Sequence, residues 1–202
     1  MNIAVLGGTF DPPHGGHLAV AAEVSQRLAP AEIVFMPAGQ PWMKEGHHIT
    51  PAADRLEMVR LAIWGDTRFR LSTAETDRAG PTYTLDTIRE LKAQVSSPGE
   101  LYFILGWDKL VELPRWYKPV ELIRLCKLVA VPRVGSPVPD LSALEKDLPG
   151  LSKRVMLLDK PEIDISASVI RERVSRGLPI TNLVPPSVEA YIKEHRLYSK
   201  GD

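Results

Sequence analysis

The chain has 202 residues, 44% of them hydrophobic and 25% charged, which suits one substantial buried core and leaves two independent domains cramped. Its 25 basic and 25 acidic residues cancel, which excludes a global electrostatic footprint for nucleic acid or an anionic membrane, so any anion site must be local. The N-terminus enters a strand-like run almost at once, no apolar run approaches membrane-spanning length, and a single cysteine, Cys126, excludes an internal disulfide, so a cytoplasmic protein is expected.

Residues 3–6 (Ile-Ala-Val-Leu) form a continuous apolar run, the pattern of a strand buried on both faces of a parallel sheet. Gly7 and Gly8 end it with main chain that no side chain obstructs, so a ligand can approach closely. Pro12 and Pro13 stiffen the entry to a helix over 18–28, whose N-terminus is expected near Gly15 or Gly16. Unpaired N–H groups and the positive end of the helix dipole gather there and favour anions. His14 and His17 can share one face of that first turn.

Further strands are expected at 33–36, 69–71, 101–105, 128–131 and 155–158, with helices over 52–64, 84–95, 119–125 and 141–148. This alternation predicts an α/β fold, a Rossmann-like doubly wound parallel sheet with helices on both faces. Residues 1–202 read as a single domain, with a helical C-terminal portion of about 165–198 packed on the same core. The stretch 37–51, with Gly39 and Gly46, is the longest loop and suits a lid over a site. Ligands of open α/β sheets gather beyond the carboxyl ends of the strands, and the main motifs follow strands, so they should converge on one cleft.

Three roles are open to the two histidines. A metal pair needs further ligands, and the chain has neither a His-Glu-x-x-His run nor paired cysteines. Helix capping without further purpose is the second. A phosphate site is the third, favoured because the surrounding glycines and prolines form a whole device. Walker and Gly-x-Gly-x-x-Gly loops are both absent. A second anion device is expected at Ile165-Ser166-Ala167-Ser168-Val169-Ile170-Arg171, where Ser166 caps a helix and Arg171 follows about one and a half turns on. Alone it is an ordinary capped helix with a surface arginine.

Gly-Thr-Phe-Asp-Pro-Pro-His-Gly-Gly-His at 8–17 resembles the signature of the His-x-Gly-His nucleotidyltransferase superfamily, and the 165–171 element resembles its C-terminal triphosphate-binding motif. Between them, Gly80-Pro81-Thr82-Tyr83-Thr84-Leu85-Asp86-Thr87, Phe103-Ile104-Leu105-Gly106-Trp107-Asp108-Lys109-Leu110 and Leu113-Pro114-Arg115-Trp116 resemble one branch, the bacterial nicotinate-mononucleotide adenylyltransferases. The tail at 184–198 resembles that branch's ending, so the likeness runs from Asn2 to about Tyr198. It implies transfer of the adenylyl group of ATP to nicotinate mononucleotide, giving nicotinate adenine dinucleotide and pyrophosphate in NAD synthesis.

The resemblance also implies roles. His14, His17, Lys44 and Arg171 would be catalytic, neutralising charge as the substrate phosphate attacks the α-phosphorus directly. ATP would be held by Gly7, Gly8, Thr9, Phe10, His14, His17, Gly106, Asp108, Arg133, Ile165, Ser166 and Arg171. The mononucleotide would meet Lys44, Thr82, Tyr83, Thr84, Trp116 and Tyr117. Trp116 and Tyr117 offer aromatic surface for a pyridine ring, or are simply core aromatics. Asp108 accepts from a ribose, caps a helix, or does both. Mg²⁺ would arrive with ATP, held mainly by substrate phosphates, and no protein metal site is expected. No nucleic acid or membrane partner is expected, and a homo-oligomer remains open.

The chain departs from the branch pattern where Pro41-Trp42-Met43-Lys44 replaces Pro-Pro-His-Lys, and where Val131-Pro132-Arg133-Val134-Gly135 stands for Arg-Pro-Gly. Trp107 occupies a position where a small residue is usual and is expected to crowd the pocket floor. The rival acceptors are nicotinamide mononucleotide and phosphopantetheine. A non-catalytic nucleotide sensor is a reading from another class, against which the retention of both histidines, Lys44 and Arg171 argues. An aminoacyl-tRNA synthetase core is disfavoured by the short neutral chain without a Lys-Met-Ser-Lys-Ser segment.

Overall fold

A computed structural model of the chain describes residues 2–28, 31–40, 49–94, 99–162 and 164–199. Strands β1 (Asn2–Gly8), β2 (Ala31–Pro37), β3 (Phe69–Leu71), β4 (Leu101–Gly106), β5 (Lys127–Val131) and β6 (Val155–Leu157) form one sheet in the order β3-β2-β1-β4-β5-β6. All its pairings are parallel. Around the sheet lie α1 (Gly15–Arg27), α2 (Ala52–Ala62), α3 (Thr84–Lys92), α4 (Trp107–Glu112), α5 (Pro119–Leu125), α6 (Leu141–Asp147), α7 (Ala167–Ser175) and α8 (Pro186–Glu194).

Strand residues alternate between the two faces, and each face has its own apolar cover. Val5, Val34 and Phe103 join Leu85, Ile88 and Leu91 of α3 and Leu122 and Ile123 of α5 in one cluster. Ala4, Leu6, Ile33 and Phe35 join Val20, Ala21 and Val24 of α1 and Val59 of α2 in the other. A third cluster, with Met58 of α2, Ile170 of α7, and Val188 and Ile192 of α8, fastens the C-terminal helices to α2.

Every expected strand is present. The helix expected over 52–64 stops at Ala62, where the chain turns through Gly65 at φ 88°. The helix expected over 84–95 ends at Lys92. Helix α4 was absent from the expected set because it starts directly from the last residue of β4, without a loop, and runs for only 6 residues. Among the described residues no helix is long and apolar enough to cross a membrane.

The strand order makes β1 and β4 neighbours although β2 and β3 intervene in the chain. That reversal is the topological switch point, where the loops leaving two adjacent strands diverge and open a crevice. Gly7 and Gly8 close β1, and Gly106 closes β4.

Candidate active site

Beyond Gly8 the chain makes a tight turn through Phe10, whose φ of 51° is uncommon for a bulky residue. Its ring is only 2% exposed and meets His17 edge-on at 4.8 Å, so it supports the motif from beneath. His14 is the N-cap of α1 in extended conformation. Its main-chain N–H donates to Nδ1 of His17 at 3.2 Å, and the two rings stack with centroids 3.7 Å apart and planes at 27°. A neutral His17 with Nδ1 accepting carries its proton on Nε2, which makes Nε2 a donor.

Burial, reinforced by the Arg133 guanidinium, pushes His14 down to about 4. Burial, then His14 and Arg133, holds His17 well below the ordinary imidazole range. Both are therefore neutral at pH 7. Nδ1 of His14 is buried with no partner among the described residues. The C-terminal portion reaches this motif too. Leu183 O accepts from Gly15 N at 2.9 Å, and the Ile165 side chain packs where a Cβ on Gly15 would lie, 3.6 Å away.

His14 and His17, with Gly7, Gly8 and Thr9, form one end of a cleft of about 450 Å³ at the carboxyl ends of β1 and β4. Gly106, Asp108 and Arg133 line it from the β4 and β5 side. A Cβ on Gly106 would collide with the Asp108 carboxylate, so only glycine leaves that carboxylate where it is. Arg133 Nη1 donates to Asp108 Oδ2 at 3.3 Å, while Asp108 Oδ1 is buried without a partner among the described residues.

Thr82, Tyr83, Thr84, Trp116 and Tyr117 also line the cleft. Thr82 N donates to Gln40 O at 3.2 Å, which ties this turn to the chain leaving β2. The rings of Tyr83 and Tyr117 lie 4.6 Å apart. Trp116 stands edge-on to Phe103 at 6.0 Å, and its Nε1 is buried with no partner among the described residues. A buried indole N–H normally has an acceptor; Trp107 Nε1 is likewise without one among the described residues, but of the two only Trp116 lines the cleft.

Thus Gly7, Gly8, Thr9, His14, His17, Gly106, Asp108, Arg133, Thr82, Tyr83, Thr84, Trp116 and Tyr117 come together on one cleft. Phe10, Ile165, Ser166 and Arg171 do not line it. Ser166 caps α7 as expected, its Oγ accepting from Val169 N at 3.2 Å. Arg171 Nη1 donates to the Asp11 main-chain oxygen at 2.7 Å, against the underside of the phosphate motif. Lys44, Trp42 and Met43, with most of the 37–51 loop, lie outside the described residues. Trp107 corrects an expectation. Its indole packs against the core cluster around α3 and α5 and does not floor the cleft, because it opens α4 from the strand end.

Several residues had no assigned role. Glu75 and Lys109 line the cleft. Burial raises the Glu75 carboxyl above its usual range, and Thr87 Oγ1 donates to it at 2.7 Å. Asp11 is nearly buried, its Oδ1 accepting from Tyr198 Oη at 2.7 Å and its Oδ2 from Thr50 N at 3.3 Å. Asp11 and Lys109 sit inside motifs that are legible in the sequence. Tyr198, distant in sequence from Asp11, and Arg55, on a helix, carry no local signal. Among the described residues no group of three or more His, Cys, Asp or Glu is arranged to hold a metal ion.

Comparison with known proteins agrees with this layout. A model of the cytidylyltransferase-like family matches residues 5–173. A Dehalococcoides mccartyi protein (strain ATCC BAA-2266) is 54% identical over 200 residues, covering 99% of this chain and 98% of its own. A Roseiflexus sp. RS-1 protein is 43% identical over 196 residues, 97% of each chain. Both are described as probable nicotinate-nucleotide adenylyltransferases. The solved Plasmodium falciparum nicotinic acid mononucleotide adenylyltransferase complexed with NaAD superposes with a TM-score of 0.79 at 22% identity, over 98% of this chain and 97% of its own. At that identity the likeness concerns the fold.

Proposed function

The chain belongs to the nicotinate-nucleotide adenylyltransferases of the cytidylyltransferase-like family, and we propose that its cleft transfers AMP from ATP to nicotinate mononucleotide, releasing pyrophosphate, in the cytoplasm. The carrying observation is that two unlike subsites share one cleft. Stacked neutral imidazoles at a helix N-terminus form one, and an aromatic cluster beside the start of α3 forms the other. The first suits a triphosphate. The second suits a flat ring bearing a carboxylate, with Trp116 and Tyr117 as stacking surfaces and main-chain N–H groups near Thr84 as donors.

In the reaction, an oxygen of the mononucleotide phosphate forms a bond to the α-phosphorus while the bond from that phosphorus to the bridging oxygen breaks. Pyrophosphate leaves with the electron pair. The attacking oxygen is already ionised at neutral pH, so no enzyme nucleophile or base is needed. Catalysis rests on alignment and on donors to the charge that gathers on the α-phosphate and leaving group. His17 Nε2–H is oriented for this by the bond at Nδ1, and His14, Arg133 and Lys44 complete the set, while Arg171 supports the motif from behind through the Asp11 main-chain oxygen. Ile165, Ser166, Gly7, Gly8, Thr9 and Phe10 contribute main-chain and packing contacts, and Gly106 and Asp108 face the ribose.

The donor set is imidazole, guanidinium and ammonium, which suits phosphate oxygens rather than a metal cage. Mg²⁺ accordingly enters as part of the ATP substrate and would offset triphosphate charge. Residues 1–202 act as one nucleotidyltransferase domain in this reading.

The test is kcat/KM by pyrophosphate release with ATP and three acceptors: nicotinate mononucleotide, nicotinamide mononucleotide and phosphopantetheine. Charge-assisted hydrogen bonds to the carboxylate should favour the acid over the amide by about 10- to 100-fold. Preference for either other acceptor overturns the assignment. ATP binding without pyrophosphate release from any acceptor would instead identify a sensor.

A further inference from the structure

Arg55, in the first turns of α2, is 2% exposed and makes no ion pair with a carboxylate among the described residues. Among the described residues, all of its side-chain hydrogen bonds go to main-chain carbonyls. Nη1 donates to Thr9 O at 2.9 Å and Ala38 O at 2.8 Å, Nε to Thr50 O at 2.9 Å, and Nη2 to Gly39 O at 3.5 Å. One guanidinium therefore fastens the turn after β1, the chain leaving β2, and Thr50, the residue before the Pro51 N-cap of α2. Burying a cation for this purpose is expensive, and Asp11 offsets part of the penalty.

Thr9 and Ala38 line the cleft while Arg55 lies behind them. Holding both carbonyls on a guanidinium behind the wall fixes where Thr9 and Ala38 stand in it.

We propose that Arg55 is a positioning residue for adenylyl transfer: by gripping the main-chain carbonyls of Thr9 and Ala38 from behind, it holds these two cleft-lining residues in the geometry that the reacting phosphates meet. It touches no substrate. Its planar fork spans several carbonyls at once, which a lysine ammonium cannot do from one place. The inference rests on the adenylyltransferase reading of the cleft.

The experiment uses the full chain with Arg55→Lys and Arg55→Ala. Calorimetric titration with ATP counts competent sites, and kcat is expressed per site. A misplaced cleft wall should lower kcat per site by about 30- to 100-fold in Arg55→Lys, with KM for either substrate changed less than about threefold. Millimolar guanidinium should restore part of the Arg55→Ala rate, while equal sodium chloride or urea should not. Wild-type kcat per site in Arg55→Lys, with only fewer sites or a lower Tm, overturns the proposal. So does loss of folding in both variants, which assigns Arg55 to the scaffold alone. If the wild-type chain fails to adenylylate nicotinate mononucleotide, the functional reading fails before the variants matter. An active wild type with an unaffected Arg55→Lys defeats this inference alone.

Discussion

The His14 and His17 rings stack 3.7 Å apart, while the main-chain N–H of His14 donates to Nδ1 of His17 at 3.2 Å. The contact fixes one tautomer of His17 and disfavours double protonation, since two imidazolium rings at that distance repel. Neutral imidazole donors can stand together beside the permanent charge of Arg133 and still meet a polyanion.

The burial of His14 makes stability depend on pH. His14 has a folded pKa of about 4, below the ordinary value of 6.5, so the unfolded chain binds the proton first as pH falls. Stability should therefore decline between about pH 6.5 and 4, by a few kcal/mol at most from this residue. Urea unfolding of wild type and His14→Gln across that range checks it. A smaller decline in the variant is expected, and identical slopes would contradict the reading. Bound triphosphate favours the charged imidazole, so ATP binding at pH 6 should take up protons, measurable by calorimetry in buffers of different ionisation enthalpy.

Trp116→Ala should raise KM for nicotinate mononucleotide by about 10-fold, the loss of one aromatic stacking contact, and leave KM for ATP within about twofold. Trp116→Phe should recover most of the loss. Initial-rate kinetics with each substrate varied in turn separates these outcomes.

Tyr198→Phe removes the hydroxyl that donates to Asp11 Oδ1 at 2.7 Å. A nearly buried carboxylate oxygen then lacks its donor, which should cost about 1–3 kcal/mol and lower Tm by several degrees. Differential scanning calorimetry measures the change, and an unaltered Tm would show that the contact contributes nothing.

Gly106→Ala places a Cβ against the Asp108 carboxylate and 3.3 Å from the Arg133 side chain. Asp108 must shift, and kcat/KM for ATP should fall about 10-fold or more while circular dichroism remains that of the wild type. Equal kcat/KM would mean that the Asp108 position is unimportant.

Much of this was legible in the residue pattern. The apolar runs mark the inner strands because a doubly covered parallel strand has no polar face to disguise it, whereas the edge strand β3 carries Arg70 and is only half-buried. Ser166 is legible as a cap because capping chemistry is local. Phe10 is different: it stands inside the motif, yet its ring is buried, and only the positive φ explains why. Arg55 reads as one more charged residue on an amphipathic helix. Its burial depends on the turn after β1 and both ends of the β2–α2 connection meeting at one guanidinium, which no spacing along the chain encodes. The Tyr198 bond to Asp11 joins residues 187 positions apart and is equally invisible before folding. Trp107 misleads in the other direction, since local similarity cannot reveal that the chain enters α4 without a loop.

The most direct test of direct transfer within one cleft is the stereochemical course at the α-phosphorus. ATP with sulfur replacing one non-bridging α-oxygen, in a single configuration, is reacted with nicotinate mononucleotide, and the configuration of the dinucleotide product is determined. A single in-line displacement by the substrate phosphate predicts inversion. Retention would require a covalent adenylyl-enzyme intermediate and would contradict the assignment of His14 and His17 as donors to phosphate.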